Sequence, residues 1–102
     1  MPDVDFATHL DSERSCLTVS GEVDETMADV LLESLRSASD DFTKPLTIDL
    51  SAVTYLPSAA VGVLVTSEQK ARSHGNQLDL VAARGTIAQR VLEVCALPHR
   101  TD

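Results

Sequence analysis

Apolar and polar positions alternate most clearly over Leu46-Thr47-Ile48-Asp49-Leu50, where three aliphatic side chains fall on one face of an extended segment. Two shorter β-type runs, Val4 to Leu10 and Cys16 to Ser20, flank the polar Asp11-Ser12-Glu13-Arg14 and predict an opening hairpin. In the second run Leu17 and Val19 face the core together, and Gly21-Glu22-Val23-Asp24 is expected to break the strand. The period then changes. Met27, Val30, Leu31, Leu35 and Ala38 recur as one helical face, predicting a helix from Thr26 to Ser39, with Thr26 and Asp29 resembling a capping box. Asp40-Asp41 and Lys44-Pro45 end it and lead into the Leu46 strand. A second helix runs from Ala59 to His74, with Val61, Leu64, Val65, Glu68, Ala71 and Arg72 at helical spacing and Gly75-Asn76 as a stop signal. Leu78 to Ala82 reads as another strand. Thr86-x-x-Gln89 is a capping box opening a third helix with Ile87, Val91, Val94 and Cys95 inward, closed by Pro98.

Strand, strand, helix, strand, helix, strand, helix predicts an α/β sheet containing right-handed βαβ crossovers. In such sheets the working surface lies at the carboxyl ends of the strands, in the loops that lead into helices. Three loops should share that edge: Gly21 to Glu25, Tyr55 to Ser58, and Ala83 to Thr86. They would gather Glu22, Asp24, Ser58 and Arg84 if the last three strands are mutually parallel.

With 102 residues, 43% of them hydrophobic, the chain can bury one core, so residues 1–102 are expected to form a single domain. Eight Lys and Arg against sixteen Asp and Glu give a net charge of −8, which opposes nucleic acid and anionic lipid as partners. No secretory leader is evident at Met1-Pro2-Asp3-Val4-Asp5. The longest apolar run, Ala59 to Val65, is far below the roughly 20 residues of a membrane span, so a soluble, cytoplasmic protein without membrane insertion is expected. Cys16 and Cys95 form no Cys-x-x-Cys or Cys/His group and are read as reduced and mostly buried. His9, His74 and His99 have no second ligand at helical spacing and are read as surface residues, so no metal or cofactor is expected. Phosphate-binding, dinucleotide-binding and nucleophile-elbow motifs are lacking, and Ser58 has no evident base beside it; no catalytic residue is assigned and an enzyme is disfavoured. Asp24, Glu25 and Asp29 read as helix-start charges.

Ser58 is the candidate functional centre. A helix start gathers N–H groups free of intrahelical partners and the positive end of the macrodipole, so it is disposed to hold a negative group added to the serine. Serine is also a favoured N-cap, and the two roles are compatible.

Gly21-Glu22-Val23-Asp24 before the first helix, Asp49-Leu50-Ser51-x-Val53 in the central strand, Leu56-Pro57-Ser58-Ala59-Ala60-Val61-Gly62-Val63-Leu64 over the loop and helix, and Gly75-Asn76 together resemble a STAS domain of the anti-sigma-factor antagonist family. The likeness spans residues 15 to 97. It implies a STAS-type mixed sheet of four to five strands with helices packed mainly on one face. It also implies a non-enzymatic switch: the unphosphorylated protein binds an anti-sigma factor whose serine kinase activity then modifies the serine and releases it, and a phosphatase resets the system. Carried over, Ser58 matches the phosphoacceptor. Glu22, Asp24, Leu56, Pro57, Ala59 and Val61 match the partner-binding segment around it, in a monomer or weak dimer. The chain departs from the family at Pro57, where Asp is usual, and at Ala60, where Gly is usual. Pro57 removes a carboxylate and an N–H, while Ala60 raises helix propensity. These departures fit the alternative of a structural STAS subunit of a lipid-transport ABC complex or a signalling scaffold. The last strand and terminal helix common in the family are expected to be short or missing.

Overall fold

The computed structural model describes residues 6–101. Strands β1 (Ala7–Asp11) and β2 (Cys16–Glu22) form the expected hairpin, and the predicted start at Val4 lies outside the described residues. A single 3-10 turn, Glu25–Met27, leads into helix α1 (Ala28–Ala38). Strand β3 (Leu46–Tyr55), helix α2 (Ser58–Ser73), strand β4 (Leu78–Val81) and helix α3 (Ile87–Val94) follow. The sheet order is β1-β2-β3-β4, with the hairpin antiparallel and β2, β3 and β4 mutually parallel. The α/β mixed sheet expected from the sequence is therefore present, and so is the parallel relation on which the three-loop edge depended.

Alternation along the two central strands places the core on one face. Leu17, Val19, Leu46, Ile48 and Leu50 are buried, while the intervening Cys16, Thr18, Thr47 and Asp49 stay half-exposed. The buried side chains merge with Leu31 and Leu35 of α1, Leu64 and Ala71 of α2, and Ala88 and Leu92 of α3 into a single cluster. Past α3, Arg100 pairs beside β4: its N–H donates to the Leu80 carbonyl at 2.8 Å and its carbonyl accepts from the Ala82 N–H at 2.8 Å. Arg100 Nη2 also meets Asp79 Oδ2 at 2.6 Å, so a fifth strand is present only as one bridge.

Five local expectations need correction. Gly21 does not break β2, because a residue without Cβ can take φ +85° inside the strand, and pairing with β3 continues through a register shift to Glu22. Likewise β3 does not stop at Leu50 but runs on to Tyr55. The first helical segment is capped by Asp24, whose Oδ1 accepts from the Met27 N–H at 3.1 Å and from Thr26 Oγ1 at 2.6 Å, not by a Thr26–Asp29 box. In α3 the residues facing the sheet are Ala88 and Leu92. Ile87 and Val94 point outward, 53% and 80% exposed, and Cys95 is exposed. Thr86 does cap α3, accepting from the Gln89 N–H at 3.2 Å, but the Gln89 side chain turns to Glu93 at 3.0 Å instead of closing the box.

Between α1 and β3 the chain reverses through three consecutive left-handed residues, Asp40, Asp41 and Phe42, at φ 52°, 59° and 65°. Such a run is costly for residues with a Cβ, and Phe42 most of all. Burial of the Phe42 ring offsets this, and buried Ser39 fixes the bend: its hydroxyl donates to the Leu35 carbonyl at 2.7 Å and accepts from the Phe42 N–H at 3.0 Å.

Candidate functional site

The site grows out of the far end of β3. Pairing of Glu22 with Tyr55 and a 3.0 Å bond from the Val23 N–H to the Tyr55 carbonyl hold the Gly21 to Asp24 loop against the segment entering α2. Leu56 drops into the core, which turns the chain, and Pro57 takes the cap position of α2 with φ −76° and ψ 172°. Proline suits a site where no backbone donor is needed, but it offers no side-chain acceptor, and none is made. Ser58 is thus the first helical residue and not the cap, and it is exposed. No acidic residue occupies the first turn of α2. The amides there have no side chain of the helix competing for them, and the dipole is uncompensated by a local carboxylate.

Of the residues expected around this edge, Glu22, Ser58 and Ala59 are exposed, and Asp24 and Pro57 are half-buried. Leu56 and Val61 are buried and form the floor under the loop, next to fully buried Ala60. The Asp24 carboxylate is occupied in capping, which leaves Glu22 and Glu25 as the exposed acidic side chains of this loop. Arg84 stands apart. Its loop is tied to β3 by the Ala83 N–H donating to Ser51 Oγ at 2.8 Å, while the Glu22 loop is tied at Tyr55, four residues further along the strand.

Two site features escaped the sequence reading. Tyr55, 43% exposed, ends β3 beside the Glu22 loop and adds the largest side chain of the rim. Ser51 acts through its hydroxyl on the neighbouring loop, and its own N–H is held by Asp49 Oδ1 at 3.0 Å. Alternation breaks after Leu50, since the next buried position is Val53 across a register shift with β2, so the β-type residues Val53, Thr54 and Tyr55 were the available signal that the strand runs on. His9 and His74 are exposed, as expected, and His99 is half-buried with Nδ1 2.8 Å from the Leu97 carbonyl. Among the described residues no group of three His, Cys, Asp or Glu side chains is placed to hold a metal ion. No described helix is long and apolar enough to cross a membrane.

The family model for the Mlab-type STAS domain (Mlab, STAS domain) matches residues 6–98. The chain belongs to the STAS domain family. An anti-sigma factor antagonist from Mycobacterium paratuberculosis superposes with TM-score 0.79 at 23% identity, covering 96% of this chain and 87% of that one. The anti-sigma factor antagonist SpoIIAA in its unphosphorylated form gives TM-score 0.67 at 14% identity, over 91% and 82%. An antisigma-factor antagonist STAS domain from Rhodobacter sphaeroides gives 0.56 at 16%, over 82% and 96%. These likenesses establish the STAS fold over nearly the whole domain.

Proposed function

We propose that this STAS domain is an anti-sigma-factor antagonist that works by reversible contact, presenting the Ser58 edge to an anti-sigma factor with serine kinase activity. The observation that carries the reading is the exposed Ser58 in the first turn of α2, on an uncompensated helix start beside the Glu22 loop. A phosphate on Ser58 would bring about −1.5 to −2 charges onto a surface formed by Tyr55, Pro57 and Ala59. The helix dipole would favour that charge by about 0.3–1 kcal/mol, so the modified domain stays folded. Desolvating the same charge against a partner costs several kcal/mol unless cations meet it, and each ~1.4 kcal/mol is tenfold in affinity. Modification therefore releases the partner without unfolding the antagonist, and a phosphatase restores binding. The protein acts as a regulator in the cytoplasm and not as an enzyme.

Incubation with the anti-sigma kinase and ATP, followed by mass spectrometry, should place phosphate on Ser58. Ser58→Asp should bind the same partner at least about tenfold more weakly than the parent chain. Phosphate absent from Ser58, together with undiminished binding by Ser58→Asp, would sink the switch. A second reading, a structural STAS subunit of a lipid-transport ABC complex or a signalling scaffold, rests on Pro57, which leaves α2 without a side-chain cap where the family usually carries Asp. Under that reading the domain co-purifies with a transporter ATPase, and Ser58→Asp leaves the association unchanged.

A further inference from the structure

Helix α3 carries a wider apolar surface than the sheet covers. At about 100° per residue, buried Ala88 and Leu92 are centred roughly 130° around the axis from the midpoint of exposed Ile87 and Val94. The apolar arc from Val94 round to Leu92 spans about 160°; Ala88, Leu92 and half-buried Val91 meet the core, and its Ile87–Val94 end does not. Val91 is half-buried; Ile87 and Val94 are largely in solvent. They are two of the five large hydrophobic residues exposed among the described residues, and they share one short helix.

The pairing of the chain's eight Lys and Arg residues is uneven. Arg14, Arg36, Lys44, Arg72 and Arg100 each pair with a carboxylate, and Lys70 Nζ lies 5.8 Å from the centroid of the Phe42 ring. The two remaining cations, Arg84 and Arg90, have no ion-pair partner among the described residues, although the chain carries sixteen carboxylates. Arg90 borders the exposed stripe directly, about 40° beyond Val94 on the helix. Arg84 stands two residues ahead of the Thr86 cap. An exposed aliphatic pair bordered by Arg90, with Arg84 in the loop that enters the same helix, is complementary to an apolar stripe edged by carboxylates.

We propose that the outer flank of α3 docks an amphipathic helix of a partner protein that bears acidic residues beside its apolar face, a surface distinct from the Ser58 edge. A second copy of the chain fits poorly, because two antiparallel α3 helices meeting at their midpoints would bring Arg90 against Arg90. An anionic lipid surface would face the domain broadly and so meet its net charge of −8, whereas a single helix meets only the flank around Arg90.

The probe is a fluorescein-labelled synthetic helix with leucines at i, i+3, i+4 and i+7 and flanking glutamates, measured by anisotropy against the intact chain, beside a twin with lysines replacing the glutamates. The acidic peptide should bind, and its twin should bind at least about tenfold more weakly. Val94→Asp and the pair Arg84→Glu with Arg90→Glu should each weaken the acidic peptide about tenfold. Ser58→Asp should leave it unchanged, which keeps this result separate from the fate of the switch. Val94 is 80% exposed, so Val94→Asp should melt like the parent, and amide shift mapping of the parent supplies a readout that needs no variant. The proposal fails if neither peptide binds, if both bind equally, if binding survives Val94→Asp, or if the mapped shifts lie away from α3. It fails equally if Val94→Asp abolishes a concentration-dependent dimer or binding to phosphatidylglycerol vesicles, since either would name a different occupant.

Discussion

Two serines are fully buried in this domain, and the same substitution should move its stability in opposite directions. Ser67 lies in the inward stripe of α2 between Leu64 and Ala71, and its hydroxyl has no hydrogen-bond partner among the described residues. Burying a hydroxyl unpaired costs about 1–3 kcal/mol on mutational scales. Alanine removes that cost and improves helix propensity by up to about 0.5 kcal/mol, against a small loss of packing around the absent oxygen. Ser67→Ala should therefore stabilise the fold by about 1–2 kcal/mol. Ser39 is as deeply buried, yet its hydroxyl both donates to Leu35 and accepts from the Phe42 amide at the left-handed bend. Ser39→Ala orphans that amide and should cost about 2 kcal/mol. The two variants should differ by about 3 kcal/mol, or roughly 12–24 °C in melting temperature for a domain of this size. Urea unfolding with a common m-value, backed by calorimetry, measures both. If Ser67→Ala melts at or below the parent, its hydroxyl has a partner in solution and the reasoning is wrong.

Other outcomes can be checked alongside. Ser51→Ala removes the acceptor of the Ala83 N–H and should cost about 1–2 kcal/mol, with faster amide exchange at Ala83 as the local signature. Asp24→Ala strips the cap from the first helical turn and should cost about 1 kcal/mol in urea melts, whereas Asp24→Ser should recover most of it.

The parts of the fold legible in the sequence were those where one signal had one meaning. Alternation over Leu46 to Leu50 could only be a half-buried strand, and Ser58 and Gly75-Asn76 bracketed α2 to within a residue or two. Gly21 was misread because glycine serves equally as a breaker and as the residue that lets a strand pass through positive φ. Choosing between these needed the register with β3. In α3 the periodicity identified an apolar arc but not which part of it the sheet would cover, and small Ala88, not Ile87, makes the close approach. At the site, the nearness of the Glu22 loop to the Ser58 loop followed from parallel order alone. The capping duty of Asp24 and the reach of Ser51 to Ala83 depended on side-chain geometry that no spacing rule encodes.

The unequal lengths of β3 and β4 have an electrostatic consequence. Because β4 stops opposite Asp49 while β3 continues to Tyr55, the edge is stepped, with the Ala83 loop fastened at Ser51 and the Glu22 loop at Tyr55. Four strand residues separate those fastenings by roughly 13 Å. That exceeds the Debye length of about 8 Å at physiological ionic strength. A charge added at the upper step would be largely screened from the lower one, so under the proposed switch a change at Ser58 would leave what the domain offers beside Arg84 unaltered.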